Sequence, residues 1–323
     1  MTRSSHIDRV MQSLSSGSAA ARSRLAASWL RSAKNYGLDP AMREMRDSLD
    51  SSSLKGRMAA MERVLHVASP KLDNLFGLIG HSGCGVLLTD ADGIVLEKRC
   101  SDGDSEVFKE WGLWPGHDWS EAAEGTNGIG TCLAEQRQIT IHRTDHFMAK
   151  NIAMSCMDAP IFGPDGALIA ALDVSSARAD QTEGYNRLIG AMVVQTAQQI
   201  EAEVFRSSFA GKRILVAEGD ATGAALLAVD GDDIVVGATR AARKAFGLNA
   251  MGHLAPRPAV DLLGRDGQET GFDRGEKAAV KRALVRAEGN VSAAARALGI
   301  GRATMYRRMK RLGLSESGAD LSQ

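Results

Sequence analysis

Residues 288–314 read EGNVSAAARALGIGRATMYRRMKRLGL. The whole chain of 323 residues is neutral, with 39 Lys and Arg against 39 Asp and Glu. Yet from Arg274 to Leu314 eleven basic residues face only Glu276 and Glu288, a net charge of +9, so the remainder carries −9. Charge separated in this way along a chain points to a polyanion-binding module joined to something else.

The same stretch is patterned as helices. Lys277–Ala287 places Ala279, Val280, Ala283 and Leu284 inward, and Gly289 ends it. Asn290 is a candidate N-cap for a second helix, VSAAARAL, closed by Gly299. A third helix is expected from Arg302 to Leu312, with Met305, Met309 and Leu312 as its buried stripe. Ala293, Ala294 and Ala297 are small enough for close helix approach, and LGIG, with Ile300 turned inward, is a connection of helix-turn-helix length. Arg302, Thr304, Tyr306, Arg307, Arg308, Lys310 and Arg311 are left outward. Arginines pair bidentately with guanine, Thr304 can meet a thymine methyl or a phosphate, and the remaining cations position the unit on the phosphate backbone. The competing reading is a solvated amphipathic helix. The complete helix–Gly–helix–turn–helix layout and its charge favour double-stranded DNA as a partner.

Upstream the grammar is mixed. ARSRLAASWLRSAKNY is expected to be one helix over about 19–36, with Leu25, Trp29 and Leu30 together and GLDP (37–40) as its stop. Met58, Met61, Leu65, Ala68, Leu72, Leu75 and Ile79 fall on one helix face. Ser69-Pro70 inside that run reads as the N-cap and first position of a new helix, hence two helices with a bend. CGVLLTDADGIVLEKRC (84–100) and APIFGPDGALIAALDVS (159–175) are hairpins, with QITIHR a further strand. Tyr185, Leu188, Ile189, Met192, Val193, Thr196, Ile200 and Val204 mark a long amphipathic helix. The stripes at 58–80 and 185–204 are wide enough to serve a second subunit, so a homodimer is expected. A third hairpin at 225–246 echoes the first, and 252–275, rich in Gly, Pro and charge, reads as a linker.

An apolar content of 44% and charged content of 24% are those of an ordinary globular protein. No apolar run approaches the ~20 residues of a membrane span, and MTRSSHIDRVMQSLSSGSAAARSR lacks a signal-peptide core, so a cytoplasmic location with no membrane partner is expected. Cys84, Cys100, Cys132 and Cys156 form no C-x-x-C pair, and no metal site or cofactor is expected. There is no G-x-x-x-x-G-K-[ST] phosphate loop. His142, Asp145 and His146 form an H-x-x-D-H cluster, read as a surface turn and cap ahead of a metal site. Cys156 is either a sensing thiol or a small buried hydrophobe.

The C-terminal stretch resembles the Fis-type helix-turn-helix of bacterial regulators, near G-N-x-x-x-A-A-x-x-L-G-I-S-R-x-T-L-Y-R-K-L-K. Gly289, Asn290, Ala294, Ala295, Leu298, Gly299, Ile300, Arg302, Thr304, Tyr306, Arg307 and Lys310 match, while Gly301 replaces the usual Ser. SWLRSAKNYGLDP (28–40), GVLLTDADGIVLEKR (85–99), WSEAAEGTNGIGTCLAEQRQITIHRTDHF (119–147) and CMDAPIFGPDGALIAALDVSSAR (156–178) resemble the sensing region of AcoR-type regulators of acetoin and glycerol metabolism. The resemblance implies an α+β fold. It comprises an N-terminal helical region (1–56), a GAF-like sensor flanked by long helices (57–209) and a small PAS-like remnant (210–251). A linker (252–275), an all-α helix-turn-helix (276–314) and a tail (315–323) follow. The AAA+ ATPase that this family places before the helix-turn-helix has no counterpart, so ATP hydrolysis is not carried over. A small-molecule effector and a two-fold DNA site are the implied partners; without the motor, action by operator occupancy or by direct contact with RNA polymerase is expected. Trp119, Glu124, Thr126, Asn127, Cys156 and Asp173 are the candidate ligand groups, with Thr126 and Asn127 at a helix start whose free N–H groups suit an anion or carbonyl. Thr126 as a plain helix cap is the bland alternative. The expected function is a ligand-responsive transcriptional regulator without enzyme activity. The rivals are a nucleoid architectural protein with a vestigial sensor, and a GAF-fold thiol enzyme requiring Cys84, Cys132 and Cys156 to converge.

Overall fold

The computed structural model describes residues 2–44, 47–176, 178, 182–217, 223–263 and 271–314. The expected tail at 315–323 lies outside them. The chain divides after Leu262 into two compact units.

In the first unit, helices α1 (Arg3–Ser15), α2 (Ala19–Arg22), α3 (Arg24–Lys34), α4 (Ser51–Ala60) and α5 (Glu62–Ile79) precede strands β1 (Cys84–Asp90) and β2 (Val95–Arg99). Then come α6 (Ser105–Glu110), α7 (Glu121–Glu124), α8 (Gly128–Glu135), β3 (Ile139–His142), β4 (Ser155–Phe162), β5 (Leu168–Ser176) and α9 (Glu183–Ser208). The five strands form an antiparallel sheet in the order β2-β1-β5-β4-β3. Alternation divides its faces. Val86, Leu88, Met157, Ala159, Ile161, Ala170, Leu172 and Val174 point to one side, where α5 and α9 cover them. Leu87, Cys156 and Ala171 point to the other, under Trp119, Ile129 and Cys132.

Most of the α5 and α9 stripes are therefore spent on the core of one chain, while Leu188 of the α9 stripe stays exposed. Pro70 does not start a helix, contrary to the sequence expectation. It sits inside α5, and the break falls at Met61. A proline in a helix interior costs ~3 kcal/mol. The continuous burial of Leu65, Ala68, Leu72, Leu75 and Ile79 against α9 and the sheet supplies the offset. The expected helix over 19–36 is split at Ser23, whose hydroxyl accepts from Ala26 N and caps α3. Ahead of it lies α1, invisible in the pattern because its buried residues are only His6 and Val10.

Strands β6 (Arg213–Val216), β7 (Leu226–Val229), β8 (Ile234–Ala238) and β9 (Arg257–Pro258) form a second antiparallel sheet, with α10 (Arg240–Ala245) and α11 (Ala259–Leu263). Its core takes Phe205 from the end of α9. The echo between hairpins is physical. Asp90 Oδ1 accepts from the N–H groups of Asp92 and Ile94, both at 3.0 Å, and Asp230 Oδ1 accepts from Asp232 and Ile234 at 2.9 and 3.0 Å. Gly93 and Asp233 hold the same left-handed position at φ 92° and 63°. The expected linker over 252–275 is partly ordered structure: β9 and α11 occupy its first half, and the next helix begins at Gly271. Its residues 264–270 are outside the described ones.

The second unit consists of α12 (Gly271–Arg286), α13 (Val291–Ala297) and α14 (Arg302–Arg311). Val280, Ala283, Leu284, Ala294, Ala295, Met305, Met309 and Leu312 make its core. Ala295 takes the close-contact role expected of Ala297, which is exposed. With so few apolar groups in so small a core, Met305→Ala should cost about 2–5 kcal/mol. Thermal denaturation should show this unit melting earlier while the sensor transition stays in place.

Candidate ligand site and nucleic-acid interface

Most of the expected ligand groups are committed to internal bonds. Trp119 Nε1 donates to Gly112 O at 2.7 Å. Glu124 pairs with Lys150 at 2.8 Å and accepts from Asn151 Nδ2 at 3.1 Å. Asn127, not Thr126, caps α8: its Oδ1 accepts from Gly130 N at 2.8 Å, and its Nδ2 donates to the carbonyls of Gly125 and Trp119. Thr126 instead lies 2.7 Å from Ser28 Oγ and 3.2 Å from Ser32 Oγ, on the buried side of α3. Beside it Glu121, 3% exposed, accepts from Ser28, Thr131 and both the Nε and Nη2 of Arg31. Ser28, Arg31, Ser32 and Glu121 carried no signal in the sequence beyond their position in the matching stretches.

Cys156 and Asp173 have a different setting. They lie on the sheet face under α8, and strand register sets Asp158 directly opposite Asp173. Both carboxyls are fully buried. Ser175 Oγ donates toward Asp173 Oδ1 and Cys156 Sγ, at 3.1 and 3.2 Å. Neither Asp158 oxygen, nor Asp173 Oδ2, meets a donor among the described groups in their ionised forms. A proton on Asp158, donated to Asp173, resolves this. Burial and then the Asp173 charge push Asp158 well above the ordinary carboxylate range. Burial raises Asp173 to about 7, while hydrogen bonds from Ser175 and Asp158 act against the rise. Asp158 escaped the sequence reading because an acid two residues beyond Cys156 shows its facing partner only once register is known.

α8 seals this pair closely. A Cβ on Gly128 would stand 2.0 Å from Asp158 Oδ2, and one on Gly130 would stand 2.4 Å from the Glu121 backbone nitrogen. His146, also fully buried, has Nδ1 2.9 Å from Arg143 O and Nε2 3.5 Å from Cys156 Sγ. The carbonyl requires the proton on Nδ1, which leaves Nε2 to accept from the thiol. Burial lowers His146 to about 4 and raises the thiols of Cys156 and Cys132, so neutral forms prevail. Cys84 lies on the opposite sheet face, and the three thiols do not converge as a thiol enzyme would need. His142, Asp145 and His146 diverge: His142 Nδ1 meets Ser155 Oγ at 2.7 Å, while Asp145 caps the turn by accepting from His142 N. Among the described residues no group of three or more His, Cys, Asp and Glu is placed to hold a metal ion.

In the second unit, Asn290 Oδ1 accepts from Ser292 and Ala293 N, both at 3.1 Å, and caps α13. Gly301 is the uncapped start of α14, as its Ser-to-Gly departure implies. Arg302, Arg307, Lys310 and Arg311 are exposed; Thr304, Tyr306 and Arg308 are half-buried. The guanidinium of Arg302 lies 5.6 Å from the Tyr306 ring centre, and Arg307 Nη2 is 3.4 Å from Thr304 Oγ1. Arg308 and Arg311 are ion-paired with Glu276 of α12.

A GAF-like α+β sensor in a chain that also carries a small cationic helix-turn-helix is the plan of a bacterial transcriptional regulator. Residues 9–201 match the family described as MimR, N-terminal domain, and residues 273–312 match the Fis family of bacterial regulatory proteins. The chain belongs to the first of these families by a match over more than half its length, and it carries the Fis-type unit of the second. It is 33% identical over 251 residues to the acetoin catabolism regulatory protein of Cupriavidus necator, covering 76% of this chain and 37% of that protein. It is 32% identical over 102 residues to the propane 2-monooxygenase operon transcriptional activator MimR of Mycolicibacterium smegmatis, covering 31% of this chain and 18% of that protein. The chain thus spans well under half the length of these relatives. In fold it is similar to the crystal structure of the E. coli DhaR(N)-DhaL complex, with a TM-score of 0.51 and 12% identity, over 74% of this chain and 81% of that one. Among the described residues no helix is long and apolar enough to cross a membrane.

The buried acids and His146 act on stability with opposite signs. Raised carboxyl pKa values give stability that is full below about 4, the unfolded value, and is lost as pH rises toward about 7. The lowered His146 value gives stability present above 6.5 and lost as pH falls toward about 4. The double variant Asp158→Asn/Asp173→Asn should remove the first component. Denaturant melts should then show stability falling on acidification from pH 7 to pH 5 more steeply than in the wild type. Equal steepness would place the proton elsewhere.

Proposed function

We propose that the protein is a ligand-responsive transcriptional regulator that reads specific duplex DNA through α13 and α14 and is controlled by a small molecule held in the sensor. The observation that carries this reading is the complete three-helix unit: Met305, Met309 and Leu312 bury one side of α14 while Arg302, Arg307 and Lys310 stand outward. An exposed cationic face on a buried apolar stripe fits a major groove, where guanine offers paired acceptors and the phosphates flank them. Arg302, Thr304, Tyr306, Arg307, Arg308, Lys310 and Arg311 are the outward residues from which the DNA contacts are drawn.

The candidate effector site is the buried polar patch under α8, formed by Cys156, Asp158, Asp173 and Ser175. Trp119, Glu124, Thr126 and Asn127 act as its structural surround. Relatives named for acetoin catabolism and for a propane 2-monooxygenase operon support a small organic catabolite as the effector class. Two-fold DNA half-sites need two recognition helices about 34 Å apart, so the acting species is a homodimer. With no phosphate loop between sensor and helix-turn-helix, control runs through operator occupancy or direct contact with RNA polymerase in the cytoplasm.

The chain cut before residue 271 should lose binding to a duplex selected by the full chain from a randomised pool. Arg307→Ala should weaken that binding by about 1–3 kcal/mol if it reads a base. Fluorescence anisotropy titrations decide both. Undiminished binding by the truncated chain would end the reading, and wild-type affinity for Arg307→Ala would return that residue to the solvated surface.

A further inference from the structure

The outward residues of α14 fall into columns. Opposite the buried Met305, Met309 and Leu312 stand Ala303, Arg307 and Lys310, by the three- and four-residue spacing of one helix face. Thr304, Arg308 and Arg311 form the flank turned toward α12. There Arg308 Nε lies 3.0 Å from Glu276 Oε1, and Arg311 Nη2 donates to Glu276 Oε2. Asp273, one turn earlier on α12, stands 3.9 Å from Arg311. The Glu276 side chain is 19% exposed, against 42% and 59% for the two arginines, so the carboxylate is the sheltered anchor of the group. Arg302, Arg307 and Lys310 have no ion pair among the described residues.

We infer that Glu276 is a positioning residue of the DNA-reading surface: it holds Arg308 and Arg311 against α12 and leaves base and phosphate contact to Arg302, Arg307 and Lys310. The inference rests on the DNA-binding reading above. An arginine already neutralised by a carboxylate releases few counterions when a phosphate approaches, because it exchanges one anion for another. It also gives up a hydrogen-bonded partner to do so. Glu276 thereby reduces the sequence-independent attraction of the helix for any duplex and leaves the groove-facing arginine in place. Its effect is on specificity more than on affinity.

The test uses the full chain, a random-sequence duplex and a duplex selected by the wild type from a randomised pool, with affinities measured across salt concentrations. Glu276→Gln should steepen the slope of log affinity against log salt by about 0.9 for each arginine released, and should strengthen random-duplex binding more than selected-duplex binding. Arg308→Gln/Arg311→Gln should keep the wild-type slope, while Arg307→Gln should flatten it by about 0.9. A folded Glu276→Gln protein with the wild-type slope overturns the inference. So does a double variant whose slope flattens by about 0.9 per arginine, and that arm decides the matter if Glu276→Gln fails to fold. Wild-type protein that binds neither duplex fails the DNA-binding reading itself and removes this inference with it.

Discussion

A carboxylate that is only 3% exposed needs its charge and lone pairs matched, and for Glu121 the matching cation and one hydroxyl come from a helix about 90 residues earlier. Arg31 and Ser28 of α3 meet Glu121, and Thr126 adds its hydroxyl to Ser28. Breaking such a buried pair from one side leaves an uncompensated charge and costs far more than the intact pair contributes. The N-terminal helices are thus structural parts of the sensor, and a boundary at residue 56 cuts through its polar core. The same contacts hold α7 and, through Thr131, α8, the helix lying over the face that carries Asp158 and Asp173.

The fold was legible where a local rule and the tertiary packing agree. Hairpins at 84–100 and 159–175 declare themselves through alternation and through Asp or Gly at the turn, and the helix over 183–208 through its apolar stripe. Errors cluster where packing overrides local preference. Pro70 predicts a helix start, yet a stripe running unbroken from Leu65 to Ile79 keeps α5 whole. The helix α3 buries Ser28 and Ser32 as well as Trp29, so a count of apolar residues misplaces its inner face. The stretch at 252–275 has a linker's composition, but two of its residues add an edge strand to a sheet that the sequence shows only as one hairpin.

The candidate sites were legible to different depths for a related reason. A recognition helix is a local object: ten consecutive residues carry both its buried stripe and its charged face, so its residues follow from spacing alone. What spacing leaves out is the partner on another helix, and Glu276 lies 32 and 35 positions before the arginines it holds. A sheet-face site is non-local throughout. Asp173 and Asp158 are 15 residues apart and meet because β4 and β5 pair in one register; a slip of one residue would send each to the α5–α9 side.

That register also explains why the two faces of the sheet differ so much in chemistry. The α5–α9 face carries the larger apolar cluster and supplies cohesion by burial. The α8 face keeps two acids, a thiol, a hydroxyl and a histidine away from water, where apolar side chains of like size would avoid the cost of desolvating polar groups. Protons limit that cost: one between Asp158 and Asp173, which leaves the pair a single negative charge, one on the Cys156 thiol, and one on His146 Nδ1. Each is held by a neighbour, with Ser175 bridging thiol and acid. The face thus carries one negative charge spread over two facing carboxyls, beside a neutral thiol, hydroxyl and imidazole that donate and accept hydrogen bonds.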